Sequence, residues 1–325
     1  CLQPIIAAIV DKHGAVYMEK NCPEHGDFST VIWQDTAEHY IRWLDYGGLD
    51  VRGLPKSREE ALNLPGVSQA GGESLLISPC SAALMVTSHC NSNCPVCFTR
   101  TQLDRKYKPG ISELAQLLEF YKRAAGSDAP VEFCGGEPTT REDLPELAFL
   151  ARKMGFTYIQ LNSNGIKLGE SLSYCKLLRN SGITTVYLGF DGVSEVPYVA
   201  KYGRNMLDIK KRAINNCGLA GLAVVLVPCV VPGTNDDQLG AILEFAKENI
   251  PIVKGVFFQP ISYFGTYPDD LRERITIPEI LRRIEKQTKG EVAAVDFLPA
   301  NCEHPQCSFN GFFLLNNGRL QAITR

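Results

Sequence analysis

The sequence predicts an α/β fold with a parallel sheet, preceded by a small module marked by cysteines. From about residue 80, six stretches with strand character alternate with amphipathic helical stretches. Such alternation favours parallel strands joined by right-handed crossovers. The spacing suits a partial barrel of six strands and a doubly wound open sheet equally, so periodicity leaves both architectures open. The predicted strands are 82–87, 130–133, 157–161, 184–190, 223–230 and 255–259, and the predicted helices are 111–125, 141–154, 168–181, 206–220 and 235–249.

Local signals in the first fifty residues predict a three-stranded module followed by a helix. Alternating stretches at 3–10 and 16–19 flank Asp11-Lys12-His13-Gly14, which is a hairpin signal. A third strand at 28–33 and a helix at 37–46 follow. Later in the chain, Thr140 with Asp143 resembles a capping box that starts a helix.

Four segments follow from these patterns. We expect a metal-binding module at 1–50, a linker rich in Gly, Pro and Ser at 51–79, the alternating α/β region at 80–262 and a C-terminal extension at 263–325. The alternation weakens after residue 260, where a helix at 277–288 leads to a last pair of cysteines. The chain begins on Cys1 rather than Met, and we expect flanking sequence in the natural protein.

Composition narrows the partners and the compartment. The chain has 325 residues, a net charge of −3 and 45% hydrophobic residues, which suits one large α/β domain plus a smaller module. Without a basic surplus, no nucleic-acid partner is expected. No apolar stretch long enough to cross a bilayer and no signal peptide are visible. The sequence therefore predicts a cytoplasmic protein without a membrane span, or one that is peripheral at a membrane.

Twelve cysteines are many for such a protein. Disulfides are disfavoured in a reducing compartment, so metal or cluster ligation better explains the clustered cysteines. Cys175 and Cys217 lie in apolar helical patterns and are predicted to be plain buried residues. The strongest signal is Cys90, Cys94 and Cys97, directly after the first barrel strand. Three thiolates can bind three irons of a cubane cluster and leave the fourth iron open, whereas structural zinc normally needs four ligands.

A second motif follows the second barrel strand and reads Phe133-Cys134-Gly135-Gly136-Glu137-Pro138-Thr139. Glycines let the backbone pass close to a ligand. The C-x3-C-x2-C spacing with the adjacent aromatic Phe98, followed by this Gly-Gly-Glu-Pro turn, resembles the radical S-adenosylmethionine (radical SAM) superfamily. The resemblance implies a partial (β/α)6 barrel, a 4Fe-4S cluster on Cys90, Cys94 and Cys97, and bound S-adenosylmethionine.

The same resemblance implies the cofactor contacts and the chemistry. Phe98, Gly135 and Gly136 would contact S-adenosylmethionine, and Glu137 could accept from its ammonium group. Polar residues at later strand ends are candidate ribose or substrate contacts, or else turn residues chosen for geometry: Asn162, Asn164 and Asp191. The family generates a 5′-deoxyadenosyl radical that abstracts hydrogen from an unactivated C–H bond. Reduced ferredoxin or flavodoxin is the expected electron donor.

Two further cysteine groups suggest more metal. Cys22-Pro23-Glu24-His25-Gly26 looks like one knuckle of a rubredoxin-like or zinc-ribbon site, to which Cys1 could contribute, for mononuclear iron or zinc. Cys302 and Cys307 lie beyond the sixth strand, where radical SAM proteins carry auxiliary-cluster ligands, and Cys80 could join them around an auxiliary 4Fe-4S cluster. A zinc site or free thiols are the alternative, and an unmetallated turn is the alternative for the N-terminal group.

The complete layout resembles the tetraether lipid synthase family and its bacterial relatives, which share the Cys-Pro-x-His-Gly module and a Cys-x-His-Pro-x-Cys segment. That resemblance implies carbon–carbon coupling of lipid chains, a lipid-biosynthesis transferase function and a lipid substrate. Apolar stretches at 224–231 and 256–258 could line a lipid site, or be ordinary barrel core. The alternatives are a radical SAM enzyme that modifies a peptide or small molecule, and a non-enzymatic zinc-binding scaffold.

Overall fold

A computed structural model of the chain describes residues 4–46, 81–99, 107–269, 271, 273–300 and 305–324. The chain divides into two compact units. One unit is Leu76–Arg272, and the other combines Cys1–Leu75 with Glu273–Arg325. The structure thus groups the end of the chain with the N-terminal module and divides the chain after residue 272, whereas the sequence boundary was set after 262. The predicted linker at 51–79 lies outside the described residues.

The N-terminal module is an antiparallel sheet followed by a helix. Its elements are β1 (Ala7–Lys12), β2 (Ala15–Cys22), β3 (Gly26–Trp33) and α1 (Ala37–Tyr46). The first hairpin turns at His13 and Gly14, both with positive φ as a tight primed turn requires. Trp33 and Trp43 are buried and their rings lie 5.7 Å apart, so a small aromatic core joins the sheet to the helix.

The second unit is built on a six-stranded, wholly parallel sheet. Its strands and helices are β4 (Ala82–Thr87), α2 (Ile111–Ala125), β5 (Val131–Gly135), α3 (Leu144–Lys153), β6 (Ile159–Ser163), α4 (Ile166–Glu170), α5 (Leu172–Ser181), β7 (Thr185–Gly189), α6 (Val196–Tyr202), α7 (Leu207–Ala220), β8 (Ala223–Val227), β9 (Cys229–Val230), α8 (Leu239–Glu248), β10 (Val253–Val256) and β11 (Gln259–Pro260). The sheet order is β4-β5-β6-β7-β8-β10. Neighbours in the sheet therefore follow the chain order, whereas a doubly wound sheet reverses its order part-way. The partial-barrel architecture is confirmed.

Alternation along the strands separates two sheet faces. Phe133, Leu161, Val186 and Leu226 are fully buried and form the apolar face, which packs against the helices. The opposite face carries half-buried side chains, among them Glu132. One predicted helix is divided, because Ser171 ends α4 and its hydroxyl accepts from the backbone N–H of Tyr174 to start α5.

The predicted capping box at Thr140 and Asp143 is wrong. The Asp143 carboxylate pairs with Arg141, at 2.9 Å from Nε and 2.7 Å from Nη2, so it does not cap α3. Arg141 is buried and also donates to the backbone oxygens of Val86 and Pro109. A buried guanidinium needs such partners, and it takes the carboxylate that would otherwise cap the helix.

The end of the chain contributes α9 (Ile277–Gln287) and a hairpin of β12 (Phe313–Asn316) and β13 (Arg319–Ala322). Two contacts tie it to the N-terminal module within the same unit. Thr276 N donates to the Gln34 side chain at 2.8 Å, and the Trp43 ring N–H donates to the Pro305 carbonyl at 2.7 Å. None of the helices in the described part of the chain is long and apolar enough to span a membrane.

Candidate active site

The loop after β4 carries the three predicted cluster ligands. Cys94 and Cys97 are half-buried and Cys90 is exposed. The backbone of Cys97 pairs with Thr266 in both directions, at 2.8 and 2.9 Å. Burial raises the pKa of the Cys94 thiol to about 11, and the neighbouring Cys97 and Cys90 add to that rise. The other two cysteines thus lie close enough to Cys94 to affect its thiol, as expected for side chains around a common site.

The Gly-Gly-Glu turn after β5 packs directly against this cysteine loop. Gly136 N donates to the Thr87 carbonyl at 2.7 Å, and Glu137 N donates to the His89 carbonyl at 2.8 Å. A Cβ on Gly135 would lie 2.1 Å from the Thr87 oxygen, and one on Gly136 would lie 2.3 Å from the His89 oxygen. Only glycine fits at either position, so these glycines bring the turn against the loop that holds the cysteines.

The Glu137 carboxylate ties two strand ends together. It is 1% exposed and accepts from Thr139 N at 3.1 Å, Thr139 Oγ1 at 2.6 Å, Ser163 Oγ at 2.8 Å and Asn164 N at 2.6 Å. A buried carboxylate needs donors of this kind. Four protein donors hold this one, so it shapes the turn, and its contact with the ammonium group stays a prediction.

Two asparagines near the end of β6 have different surroundings. Asn164 Nδ2 donates to Asn91 Oδ1 at 2.7 Å, while its Oδ1 accepts from Ile166 N at the start of α4. It therefore links the cysteine loop to the helix. Asn162 Nδ2 donates to Glu132 Oε1 at 2.6 Å, but its Oδ1 is buried without a hydrogen-bond partner.

Asp191, directly beyond β7, lies at the edge of a cavity of about 220 Å³. Its Oδ1 accepts from Lys201 Nζ at 2.7 Å and from Cys229 N at 3.1 Å, while its Oδ2 is buried and has no partner. Burial alone would lower the pKa of Lys201, but the neighbouring groups, with the negative charge of Asp191 first among them, together have the larger effect. The pKa of Lys201 therefore lies well above its ordinary value. Pro95 and Val96 of the cysteine loop also line the cavity, which places it beside the predicted cluster.

Lys210 is a site residue that the sequence reasoning missed. It is fully buried, and its Nζ donates to the Asn164 carbonyl at 2.6 Å and to the Tyr202 hydroxyl at 3.3 Å. Burial lowers its pKa to about 8. A signal was present, because Lys210 occupies the buried stripe of α7 between Leu207 and Ile214. Lysine at such a position indicates a specific internal partner.

Lys210 gives a pH prediction. Its folded pKa of about 8 lies below the ordinary 10.5, so between these pH values the unfolded chain holds more protons and stability rises with pH. The shift corresponds to roughly 3 kcal/mol. The stability of wild type relative to Lys210→Met should therefore increase from pH 7 to pH 10, as measured by denaturant unfolding at each pH.

Lys211→Met is the matched control, since Lys211 is exposed on the same helix. Its stability difference from wild type should stay flat across the same pH range. A flat difference for Lys210→Met as well would show that Lys210 does not titrate in this window.

The remaining predicted residues are only partly described. Phe98 is 54% exposed, with its ring 6.1 Å from that of Phe264. Cys22 Sγ lies 3.4 Å from His25 Nδ1, and Cys307 is exposed. Predicted ligands that lie outside the described residues are Cys1, Cys80 and Cys302. Within the described ranges, no three His, Cys, Asp or Glu side chains are grouped closely enough to hold a single metal ion. A cubane cluster does not need such a group, because each thiolate binds a different iron.

Comparison with known families decides the classification. A family model described as the radical SAM superfamily matches residues 84–246, half of the chain. The chain belongs to the radical SAM superfamily. A second model, described as the HMPTM N-terminal zinc ribbon domain, matches residues 1–34, so the N-terminal module is a zinc ribbon domain.

Relatives named as enzymes share much of the sequence. The 7,8-dihydro-6-hydroxymethylpterin dimethyltransferase of Methanocaldococcus jannaschii is 39% identical over 306 residues, which is 92% of this chain and 59% of that protein. The Fe-coproporphyrin III synthase of Methanosarcina barkeri is 26% identical over 68% of this chain and 55% of its own length. The chain thus spans between half and two thirds of these relatives. The crystal structure of Streptococcus suis SuiB with its precursor peptide SuiA shares the fold, with a TM-score of 0.55 and 13% identity over 87% of this chain and 68% of that one.

The radical SAM prediction is therefore confirmed, and with it an enzyme rather than a zinc-binding scaffold. Membership implies a 4Fe-4S cluster, S-adenosylmethionine and a reductant. The residues fit these groups: three thiols share one loop, and Asp191 Oδ2, in a residue that lines the cavity beside that loop, is buried and has no protein partner. The relatives named here are not lipid enzymes, so the expected lipid-biosynthesis function has no support from them.

Proposed function

We propose that this protein is a radical SAM enzyme that activates a carbon of a reduced pterin, or of a closely related heterocycle, for methylation. The observation that carries the proposal is the polar sheet face opposite the helices. Its side chains on adjacent strands include Glu132, Gln160, Asn162 and Tyr187. Asn162 donates to Glu132 at 2.6 Å, and Gln160 donates to the Tyr187 hydroxyl at 3.5 Å. The 39% identity to a pterin dimethyltransferase supports the same substrate class.

A lipid substrate fits this face poorly. In the stretch 224–231, the side chains of Val224, Leu226 and Val230 are fully buried. Alternation along β8 turns Val224 and Leu226 toward the helices, so they belong to the barrel core. The opposite face presents a carboxylate and two amides, which an alkyl chain cannot satisfy. These groups suit a ligand that carries its own hydrogen-bond donors.

The loop and turn geometry supports the assignment of the residues that would hold the cofactors. Cys90, Cys94 and Cys97 would hold the 4Fe-4S cluster, and the glycines of the adjacent turn would leave room for S-adenosylmethionine beside it. When bound, the cluster and S-adenosylmethionine supply radical chemistry at a substrate C–H bond. Asp191 Oδ2, buried and without a partner, would accept a hydrogen bond from a hydroxyl of the nucleoside, while Lys201 pairs with Oδ1 of the same carboxylate.

Asn164 and Glu137 act through position. Glu137 joins the turns after β5 and β6, and Asn164 extends the connection to Asn91 of the cysteine loop. Lys210, on α7, donates to the Asn164 carbonyl. Together these contacts hold the cysteine loop and the strand ends in one arrangement, which is the preorganisation that a radical reaction needs to exclude side reactions.

The zinc ribbon and the redox partners complete the proposal. Cys22 and His25, 3.4 Å apart, would bind zinc or mononuclear iron together with Cys1 and a further ligand. The hydrogen bond with His25 lowers the pKa of the Cys22 thiol, which favours the thiolate form that binds a metal. An auxiliary cluster on Cys80, Cys302 and Cys307 stays a prediction, as does reduced ferredoxin or flavodoxin as the electron donor.

The proposal is tested by isotope transfer. Anaerobically purified protein is supplied with S-adenosylmethionine, a reductant and 6-hydroxymethyl-7,8-dihydropterin deuterated on its ring and side-chain carbons. We expect 5′-deoxyadenosine formation to depend on the pterin and the 5′-deoxyadenosine to carry deuterium. This readout does not depend on which compound donates the methyl group, and mass spectrometry measures both the amount and the label.

Omission of the pterin and the variant Cys90→Ala are the controls, and both should lose labelled 5′-deoxyadenosine. Unlabelled 5′-deoxyadenosine at the same rate with and without pterin would contradict the substrate while leaving the radical chemistry in place. The same assay with a deuterated fatty acyl chain tests the lipid alternative directly.

A further inference from the structure

The polar sheet face carries one buried acceptor without a hydrogen-bond partner, Asn162 Oδ1, beside the half-buried carboxylate of Glu132. We propose that Glu132 and Asn162 bind the 2-amino-4-oxopyrimidine edge of the substrate ring, the edge that pterins share with guanine. This inference deepens the proposed function and rests on it for the choice of a pterin. The evidence is the position of the two side chains, their charge and burial, and the aromatic surface beside them.

The two side chains are held together by strand register. Glu132 lies on β5 opposite Gln160 of β6, and Asn162 is two residues further along β6 on the same face. Asn162 Nδ2 donates to Glu132 Oε1 at 2.6 Å. This bond uses the donor group of the amide and one carboxylate oxygen. It leaves Asn162 Oδ1 without a partner and does not use Glu132 Oε2, so both oxygens are available to accept from a ligand.

The carboxylate lacks a compensating charge. Burial raises the pKa of Glu132, and the hydrogen bond from Asn162 opposes that rise only in part. Within the described part of the chain, no lysine or arginine pairs with Glu132, whereas Asp191 beyond the end of β7 has Lys201. Asn162 Oδ1 is buried without a partner. An unmet buried acceptor is costly, so Asn162 Oδ1, next to a carboxylate without a cationic partner, indicates an external donor.

The donor has to supply two adjacent N–H groups. The 2-amino-4-oxopyrimidine edge does so through its ring N–H and its exocyclic amine, one of which would donate to Glu132 Oε2 and the other to Asn162 Oδ1. Tyr187 is opposite Asn162 on β7, and its ring lies 6.3 Å from that of Phe257, which is 47% exposed. These rings offer an apolar surface on which a flat heterocycle can pack.

The test is a binding titration with the full-length chain under anaerobic conditions. The probes are 6-hydroxymethylpterin and its lumazine analogue, in which a carbonyl replaces the exocyclic amine, followed by their intrinsic fluorescence. Wild type should prefer the pterin. Glu132→Gln keeps the shape and the acceptor for Asn162 but replaces Oε2 with an amide donor. It should weaken pterin binding by about 10- to 100-fold and reduce or reverse the preference over lumazine.

Glu244→Gln is the matched control, because Glu244 is an exposed carboxylate on α8, and it should bind both probes as wild type does. Thermal unfolding shows whether Glu132→Gln folds. If it folds poorly, Glu132→Asp tests the site instead, because it keeps the charge and should retain the preference for pterin. Equal pterin binding by wild type and Glu132→Gln would overturn the inference and leave the proposed substrate standing.

A titration with guanosine distinguishes recognition of the 2-amino-4-oxopyrimidine edge from recognition of a pterin. Binding of guanosine but not pterin, with loss in Glu132→Gln, would support the recognised edge and refute the pterin. Binding of neither ring to wild type would overturn the inference.

Discussion

Replacing Cys90, Cys94 and Cys97 together with alanine is expected to remove about four irons and four labile sulfides per chain. The three cysteines share the loop after β4, and within the described residues none of them forms a disulfide. Without thiolates, a cubane cluster has no protein ligands at this site. Iron and sulfide analysis of anaerobically purified protein measures the loss, and formation of 5′-deoxyadenosine should fall to background.

Cys175→Ala is the matched control, since Cys175 is fully buried on α5 and no cofactor role is assigned to it. It should keep the iron content of wild type. Iron that remains in the triple variant would belong to other sites, and zinc that remains would agree with the ribbon domain. A triple variant with unchanged iron would refute the assignment of these cysteines.

The strands and helices of the barrel were predictable because their signals are local and repeated, although those signals alone left a partial barrel and a doubly wound sheet equally open. Six strand stretches and their intervening helices were each visible in the alternation of apolar residues, and α2 begins and ends where its periodicity predicted. Glycine at 135 and 136 and the cysteine spacing were equally readable. Each of these features depends on a few neighbouring residues, which a sequence displays directly.

The contacts between strand ends could not be read in this way. Four donors from the turn after β5 and the end of β6 hold Glu137. Only the sheet register brings them together. Lys210 was missed because its partner, the Asn164 carbonyl, is distant along the chain. Glu132 shows no local motif at all, and its importance appears only when β6 brings Asn162 beside it. Long-range pairing decides such sites, and composition does not encode it.

Gly135→Ala is expected to destabilise the protein by about 3–5 kcal/mol and to reduce its iron content, although no ligand is changed. Gly135 has a φ of 138°, which other residues rarely adopt. The added Cβ would lie 2.1 Å from the Thr87 oxygen, which also accepts from Gly136 N. Relief of this overlap has to move β4 or the turn, and the cysteine loop begins where β4 ends.

Gly255→Ala isolates the cause. Gly255 lies in β10 of the same sheet and a Cβ there meets nothing within 4 Å, so this variant should change stability by no more than about 0.5 kcal/mol and keep its iron. Denaturant unfolding and iron analysis are measured on both variants. If Gly135→Ala lost stability but loaded iron fully, the turn would support the fold without shaping the cluster loop. Loss of both together would show that the close approach of turn and loop is what holds the three cysteines in position.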